Sequence, residues 1–303
     1  MRLKTLFRRG LAALGLAATA VACTSATTSA APAAAPRPAL WRVADNDTTI
    51  YLFGTIHLLP KNYQWRTPKF DQALTSANGL VVETIIDPKN LDSFRAAFTQ
   101  LAISPGQPPL VSRVPADKVA ALQAAVRASG VPMEAYDRME TWAAAFTLIT
   151  SQFQQIGLQG EDGVEMTLRD TFTSAGKPIG QLETNAEQFS YFDRLPDQAQ
   201  RDLLLSALED PAAARKEFDG MLASWTRGDV KGMARSFNGE MDHSPALKDA
   251  LLVQRNRNWA GWVERRMAQP GTVFVAVGAG HLAGPESVLA MLQKRGLRVT
   301  RVQ

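Results

Sequence analysis

Residues 49–60 read TIYLFGTIHLLP, and residues 272–285 repeat the pattern as TVFVAVGAGHLAGP. In each, a run of β-branched, aromatic and apolar residues ends in a glycine, two further residues and a histidine: Gly54-Thr55-Ile56-His57 and Gly278-Ala279-Gly280-His281. A continuous apolar run bounded by turn residues predicts a buried strand of the kind found in parallel sheets. Glycine at the strand end permits a tight turn or the close approach of another backbone. The histidine then falls just beyond the carboxyl end of its strand, where open α/β sheets hold their ligands. The chain has only three histidines, and two of them share this frame.

Around these two runs the pattern predicts the rest of an α/β fold. Residues 40–43 form a short strand, and Asp45-Asn46-Asp47 turns it into the strand ending at Gly54. A helix over 68–76 and a strand over 80–83 complete a β-α-β unit, for which a right-handed crossover is expected. From residue 90 to about 267 apolar residues recur at helical spacing, over 115–128, 139–156, 196–208 and 212–225. Trp142 and Phe146 lie on such faces and are read as core. A second α/β piece interrupts the helices: a helix over 164–174, then Lys177-Pro178 into a strand over 179–182. A helix over 245–267 precedes the second histidine strand at 273–277, and a helix over 285–295 and a strand over 297–302 close the chain. The expected architecture is a central mixed sheet built from two diverged half-repeats, one around each histidine strand, with a large helical insertion.

The 303 residues suffice for one large domain with a substantial core, not for several. The formal charge of +4 overstates the basicity of the folded part. Four of the 33 basic residues, Arg2, Lys4, Arg8 and Arg9, precede Cys23 with no acid among them, so the remainder balances the 29 acidic residues. No basic footprint is left to support a nucleic-acid partner. Residues 1–22 have a basic start, an apolar run over 11–21 and small residues before Cys23, the pattern of a cleaved export signal. Ala20-Val21-Ala22-Cys23 suits ordinary signal peptidase and also resembles a bacterial lipobox, with Ala20 in place of the usual Leu. Cys23 is therefore either lipidated, anchoring the protein on the periplasmic side of a membrane, or part of a plainly secreted product. As the sole cysteine, it leaves the exported fold no internal disulfide. The rest of 23–38, rich in Ala, Pro, Ser and Thr, reads as a flexible tether of about 40 Å at ~3.1 Å per residue. The domain then occupies 39–303.

Two G-x-x-H motifs, one opening and one closing a domain, resemble the TraB/GumN family, which includes the PrgY and Tiki proteins. Further matching pieces are GLVVET with Glu83, EDGVEMTL with Glu165, GKPIGQLET with Glu183, and RNRNWAGWV with Arg255 and Asn256. The closing VAVGAGHLAGPESVLAMLQKRGLRV is the most specific, since it matches over a strand, turn, helix and the start of another strand. The similarity covers roughly residues 40–302 and implies a Tiki/EreA/ChaN type of fold. The Tiki branch is described as metal-dependent peptidases whose G-x-x-H histidines are ligands, which carries over to His57 and His281. Glu83, Arg255 and Asn256 enter as catalytic candidates on the same resemblance.

If the strands of Gly54, Glu83 and Gly278 lie side by side, His57, Glu83 and His281 meet at one edge of the sheet. Two imidazoles and a carboxylate suit a divalent ion such as Mn, Co, Fe or Zn with positions left open. The blander readings are a satisfied polar histidine after each strand, and a Glu83 that bonds a helix N-terminus or pairs with Arg255. Glu165 and Glu183 serve either as supporting carboxylates around the site or as caps and surface groups. Arg255 could orient a substrate carboxylate, or hold Glu83 or Glu183. His243 sits at a helix start and is read as exposed. Gly278-x-Gly280-x-x-x-Gly284 approximates a dinucleotide fingerprint, but the acidic ribose partner is missing and His281 would crowd the pyrophosphate. Neither G-x-S-x-G nor H-E-x-x-H occurs.

Two function classes follow. The leading one is an exported metal-dependent hydrolase acting on a peptide or small-molecule substrate. Its alternative is a non-catalytic periplasmic binding protein for a peptide, haem or another ligand. A membrane enters only through a lipid at Cys23.

Overall fold

The computed structural model describes residues 35–87, 90–158, 163–241 and 244–303. The export signal, Cys23 and most of the tether lie outside the described residues, as does His243. Six strands form one mixed sheet in the order β4-β3-β5-β2-β1-β6. They are β1 (Leu40–Ala44), β2 (Thr48–Thr55), β3 (Gly79–Val82), β4 (Ile179–Gln181), β5 (Gly271–Gly278) and β6 (Val299–Arg301). Strands β4, β3, β5 and β2 run parallel, and β1 pairs antiparallel with both β2 and β6. The β1–β2 turn is set by Asp45, whose carboxylate accepts from the backbone N–H of Asp47 and of Thr48.

The two histidine strands, at opposite ends of the chain, are neighbours. β2 and β5 pair over their full length, with Gly54 beside Val277 and Thr55 beside Gly278. Strand β5 thus inserts between β2 and β3, so the first β-α-β unit spans a gap that the last third of the chain fills. Alternation along β5 splits its side chains between two buried layers. Val273, Val275 and Val277 pack with Trp259, Val263, Val288 and Leu292 of helices Gln254–Arg266 and Val288–Lys294. Phe274 and Ala276 join Phe53, Phe70, Phe172 and Trp225 on the other face, beneath helices Pro68–Ser76, Val164–Ser174 and Pro211–Thr226. Each such aromatic contributes on the order of 1.5–3 kcal/mol by leaving water.

The helical insertion has cores of its own. Leu110, Leu122, Tyr136, Leu148 and Leu204 form one cluster; Trp142, Phe189 and Ala102 form another. Trp142 is fully buried as expected, but Phe146, one turn further along, lies at the rim and is 37% exposed. The helix expected over 245–267 is divided: Pro245–Lys248, a π-helical turn Asp249–Val253, then Gln254–Arg266. A π-helical turn takes an extra residue into the spiral and often stands beside functional residues. Here it directly precedes Arg255 and Asn256. Helix Asn185–Asp193, between β4 and the later helices, is absent from the sequence reading although a capping box, Thr184 with Glu187, opens it.

Candidate active site

Each of the four parallel strands delivers one candidate side chain just past its carboxyl end: His57 after β2, Glu83 after β3, Glu183 after β4 and His281 after β5. That is the crevice in which open α/β sheets bind ligands. Glu165 arrives from the first turn of helix Val164–Ser174, whose opening N–H donates to the Ile56 carbonyl and so docks the helix on the first G-x-x-H turn. Arg255 and Asn256 come from the helix behind β5. Buried positions 251, 252, 255, 256, 259, 260 and 263 place both on the face turned to the sheet.

The glycines of the two motifs do different work. A Cβ on Gly54 would stand 2.9 Å from Ala279 Cα, so this glycine lets the two histidine turns touch. A Cβ on Gly280 would enter the Phe237 ring at 2.6 Å. A Cβ on Gly278 would project into the site, 3.2 Å from Glu83 Oε1, 3.5 Å from His57 Nε2 and 3.6 Å from His281 Cδ2. The missing side chain of Gly278 is thus a cradle on which both imidazoles and one carboxylate converge.

Both imidazoles are held from behind. His57 Nδ1 lies 2.7 Å from Glu165 Oε1, which also accepts from the Thr55 hydroxyl. The Glu165 carboxylate raises His57 to about 9. Burial would lower an imidazole, and His57 keeps 63% of its side-chain surface open, so the rise comes from this local partner. Burial opposes the charge on Glu165 itself, but His57 and Thr55 prevail and hold it below the usual carboxylate range. His281 Nδ1 lies 2.7 Å from Asn256 Oδ1, and its ring packs on Trp259 with centroids 4.4 Å apart. Burial, aided by the nearby Arg255 guanidinium, lowers His281 to about 3 against the pull of Glu83.

Arg255 is buried between two carboxylates. Its Nη2 donates to Glu83 Oε2 at 2.6 Å and to Glu183 Oε2 at 2.9 Å, while Nε donates to both Glu183 oxygens at 3.1 Å. Nη1 faces His281 Nε2 at 3.3 Å. Glu83 also accepts from the Gly278 N–H at 2.6 Å and from Gln188 Nε2 at 3.2 Å. Burial works against ionisation of Glu83, yet Arg255, the two imidazoles and that N–H hold it down at about 2. For Glu183 burial wins and its carboxyl is raised, in spite of Arg255 and the Trp259 indole N–H at 2.9 Å.

His57, His281 and Glu83 have the donor chemistry of a divalent-metal site. Glu83 Oε1 and His281 Nε2 stand 3.9 Å apart, wider than one ion at ~2.0–2.2 Å from each ligand would bridge at a tetrahedral angle. As placed, no group of three His, Cys, Asp or Glu side chains among the described residues closes on a single point.

The sequence pattern of the TraB/PrgY/gumN family matches residues 39–301, almost the whole described domain. The chain belongs to this family. Among family relatives, it is similar to the uncharacterized protein YbaP of Escherichia coli (strain K12), 25% identical over 84% of this chain and 92% of that protein. The YbaP of Shigella flexneri is also 25% identical, over 80% and 87%. An uncharacterized protein of Treponema pallidum (strain Nichols) is 23% identical over 85% and 80%. No solved structure matches the chain.

The fold brings His57, Glu83, Glu165, Glu183, Arg255, Asn256 and His281 together around one sheet edge, while Cys23 lies outside the described residues. The sequence reading missed Thr55, Gln188, Tyr191 and Trp259. Gln188 and Tyr191 sit one turn apart on helix Asn185–Asp193, with the Arg255 guanidinium 5.8 Å from the Tyr191 ring. The capping box opening that helix was the available signal. Trp259 lay inside the RNRNWAGWV stretch, one turn after Arg255, at the spacing that shares a helix face.

Proposed function

We propose that this chain is a metal-dependent hydrolase of the TraB/PrgY/gumN family, acting on peptide bonds, with the Tiki/EreA/ChaN type of sheet and its two half-repeats. The convergence of His57 Nε2, Glu83 Oε1 and the His281 ring on the space a Gly278 Cβ would fill is the observation that carries this reading. His57, His281 and Glu83 would hold the ion, whether Mn, Co, Fe or Zn. Such an ion supplies Lewis acidity and water activated for attack at neutral pH. Glu165 and Asn256 orient the two imidazoles, an arrangement typical of metal-bound histidines. Arg255, backed by Glu183 and Trp259, fixes Glu83, whose Oε1 faces the cradle as ligand or general base. Export to the periplasm, with a lipid at Cys23 or by plain secretion, completes the proposal.

A second reading, a non-catalytic binder of a peptide, haem or another ligand, draws on a different observation. Both Glu83 oxygens are engaged and His281 Nε2 faces Arg255, so these groups satisfy one another without a guest. Metal content of the purified protein and turnover of a peptide library by the loaded protein separate the two. We expect near-stoichiometric metal, hydrolysis by wild type, and loss of both in His57→Ala and His281→Ala. Full metal loading with no hydrolysis, or equal rates in wild type and both variants, would favour the binder.

A further inference from the structure

The environment of His281 specifies its proton as well as its position. Asn256 has no solvent exposure, and its Nδ2 donates to the backbone carbonyl of Glu286 at 2.8 Å. A carbonyl can only accept, so the amide has one allowed orientation, with Oδ1 turned to His281 Nδ1 at 2.7 Å. Oδ1 in turn can only accept, which requires the hydrogen on Nδ1. The opposite nitrogen agrees with this. Its neighbour at 3.3 Å is Arg255 Nη1, a group with hydrogens and no lone pair, which favours a bare Nε2 more weakly, since Nη1 also reaches the Leu251 carbonyl at 3.4 Å. The anchor belongs to the turn that follows His281, and that turn is itself held by the Glu286 carboxylate, 2.7 Å from Lys248 Nζ.

We propose that Asn256 is a positioning residue that reads the Glu286 carbonyl and fixes His281 as the Nδ1–H tautomer, so that Nε2 presents a lone pair beside Glu83. Remove the amide and the constraint on Nδ1 disappears. Only the weaker Arg255 contact then opposes a move of the hydrogen to Nε2, on the side of the Glu83 carboxylate. An Nε2–H cannot bind a cation. The role in metal capture rests on the hydrolase reading above; the tautomer itself does not.

The test is two-bond proton–nitrogen NMR on the metal-free full chain, isotope-labelled at the histidine nitrogens. Three histidines give a simple spectrum, and His281 is assigned by its loss in His281→Gln. Wild type should show protonated Nδ1 and bare Nε2 at His281. Asn256→Ala should move the pattern toward Nε2–H and weaken Zn²⁺ binding ~10–100-fold. Asn256→Asp, which keeps an acceptor for Nδ1 but gives up the donor to the Glu286 carbonyl, should still hold the hydrogen on Nδ1. An Nε2–H pattern in wild type, or an unchanged pattern in a folded Asn256→Ala, overturns the proposal. Should Asn256→Ala not fold, the wild-type spectrum decides alone. If the tautomer moves as expected while wild type binds no Zn²⁺, the assignment of Asn256 stands and the metal reading falls.

Discussion

Arg255 spends its guanidinium on the protein's own carboxylates, and this sets what its replacement should do. Arg255→Ala leaves Glu83 and Glu183 buried without their cation, a loss of about 3–5 kcal/mol for a broken buried ion pair. Chemical denaturation measures it directly. Arg255→Lys offers a point charge where a fork spans two acids, so part of that loss should persist. Under the hydrolase reading, Arg255→Lys should lower kcat more than it raises KM, because the side chain holds Glu83 and does not face substrate. Glu83 adds a pH signature. Its carboxyl is held at about 2, below the ordinary 4.5, so the stability it contributes is complete above pH 4.5. That contribution drains away as the pH falls from there through about 2. The stability advantage of wild type over Glu83→Gln, read from urea midpoints, should therefore shrink across that acid range. A constant difference would show that the ion pair with Arg255 does not govern Glu83.

At the scale of elements, the contact between the two histidine turns depends on what each glycine faces. Gly54→Ala directs its Cβ at the backbone of the second turn, 2.9 Å from Ala279 Cα. Strands β2 and β5 would have to part, at a cost of about 1–3 kcal/mol. Ala279→Gly should not restore stability, because the obstructing Cα remains. Gly280→Ala instead meets the ring of Phe237, a side chain on helix Val230–Met241. Here Phe237→Leu should recover much of the loss. Melting temperatures of the two single and two double variants test both statements. Equal rescue in the two pairs would mean that the glycines are interchangeable, which the geometry denies.

For the whole molecule, the N-terminal edge of the domain is closed by residues read as the end of the tether. The Arg37 N–H donates to the Thr226 carbonyl at 2.7 Å, and the Pro38 carbonyl accepts from Gln303 Nε2 at 2.7 Å. Gln303 is thereby tied to the segment that leads into β1. A chain beginning at Ala35 should melt like one containing the tether, whereas one beginning at Leu40 should lose about 1–3 kcal/mol from these two bonds. Thermal unfolding of the two truncations checks this. Identical melting would place the domain boundary after Pro38.

Local chemistry made much of this protein readable. The bounds of helices Pro68–Ser76 and Val164–Ser174 follow from Pro and Gly punctuation, and the strands before His57 and His281 from unbroken β-branched runs. The family could be recognised because its motifs are contiguous in sequence. What only tertiary structure decided is every relation between distant segments. Nothing in residues 49–60 states that β5 will lie beside β2 and come between β2 and β3. That order is set by how two layers of helices cover both faces of the sheet. Nor does RNRNWAGWV reveal that Arg255 joins Glu83 to Glu183, or that the Asn256 amide has a single allowed orientation. Strand and helix periodicity are encoded in the covalent order of side chains over a few residues. Hydrogen-bond polarity and desolvation at the site depend on which segments meet there, and only packing brings them together.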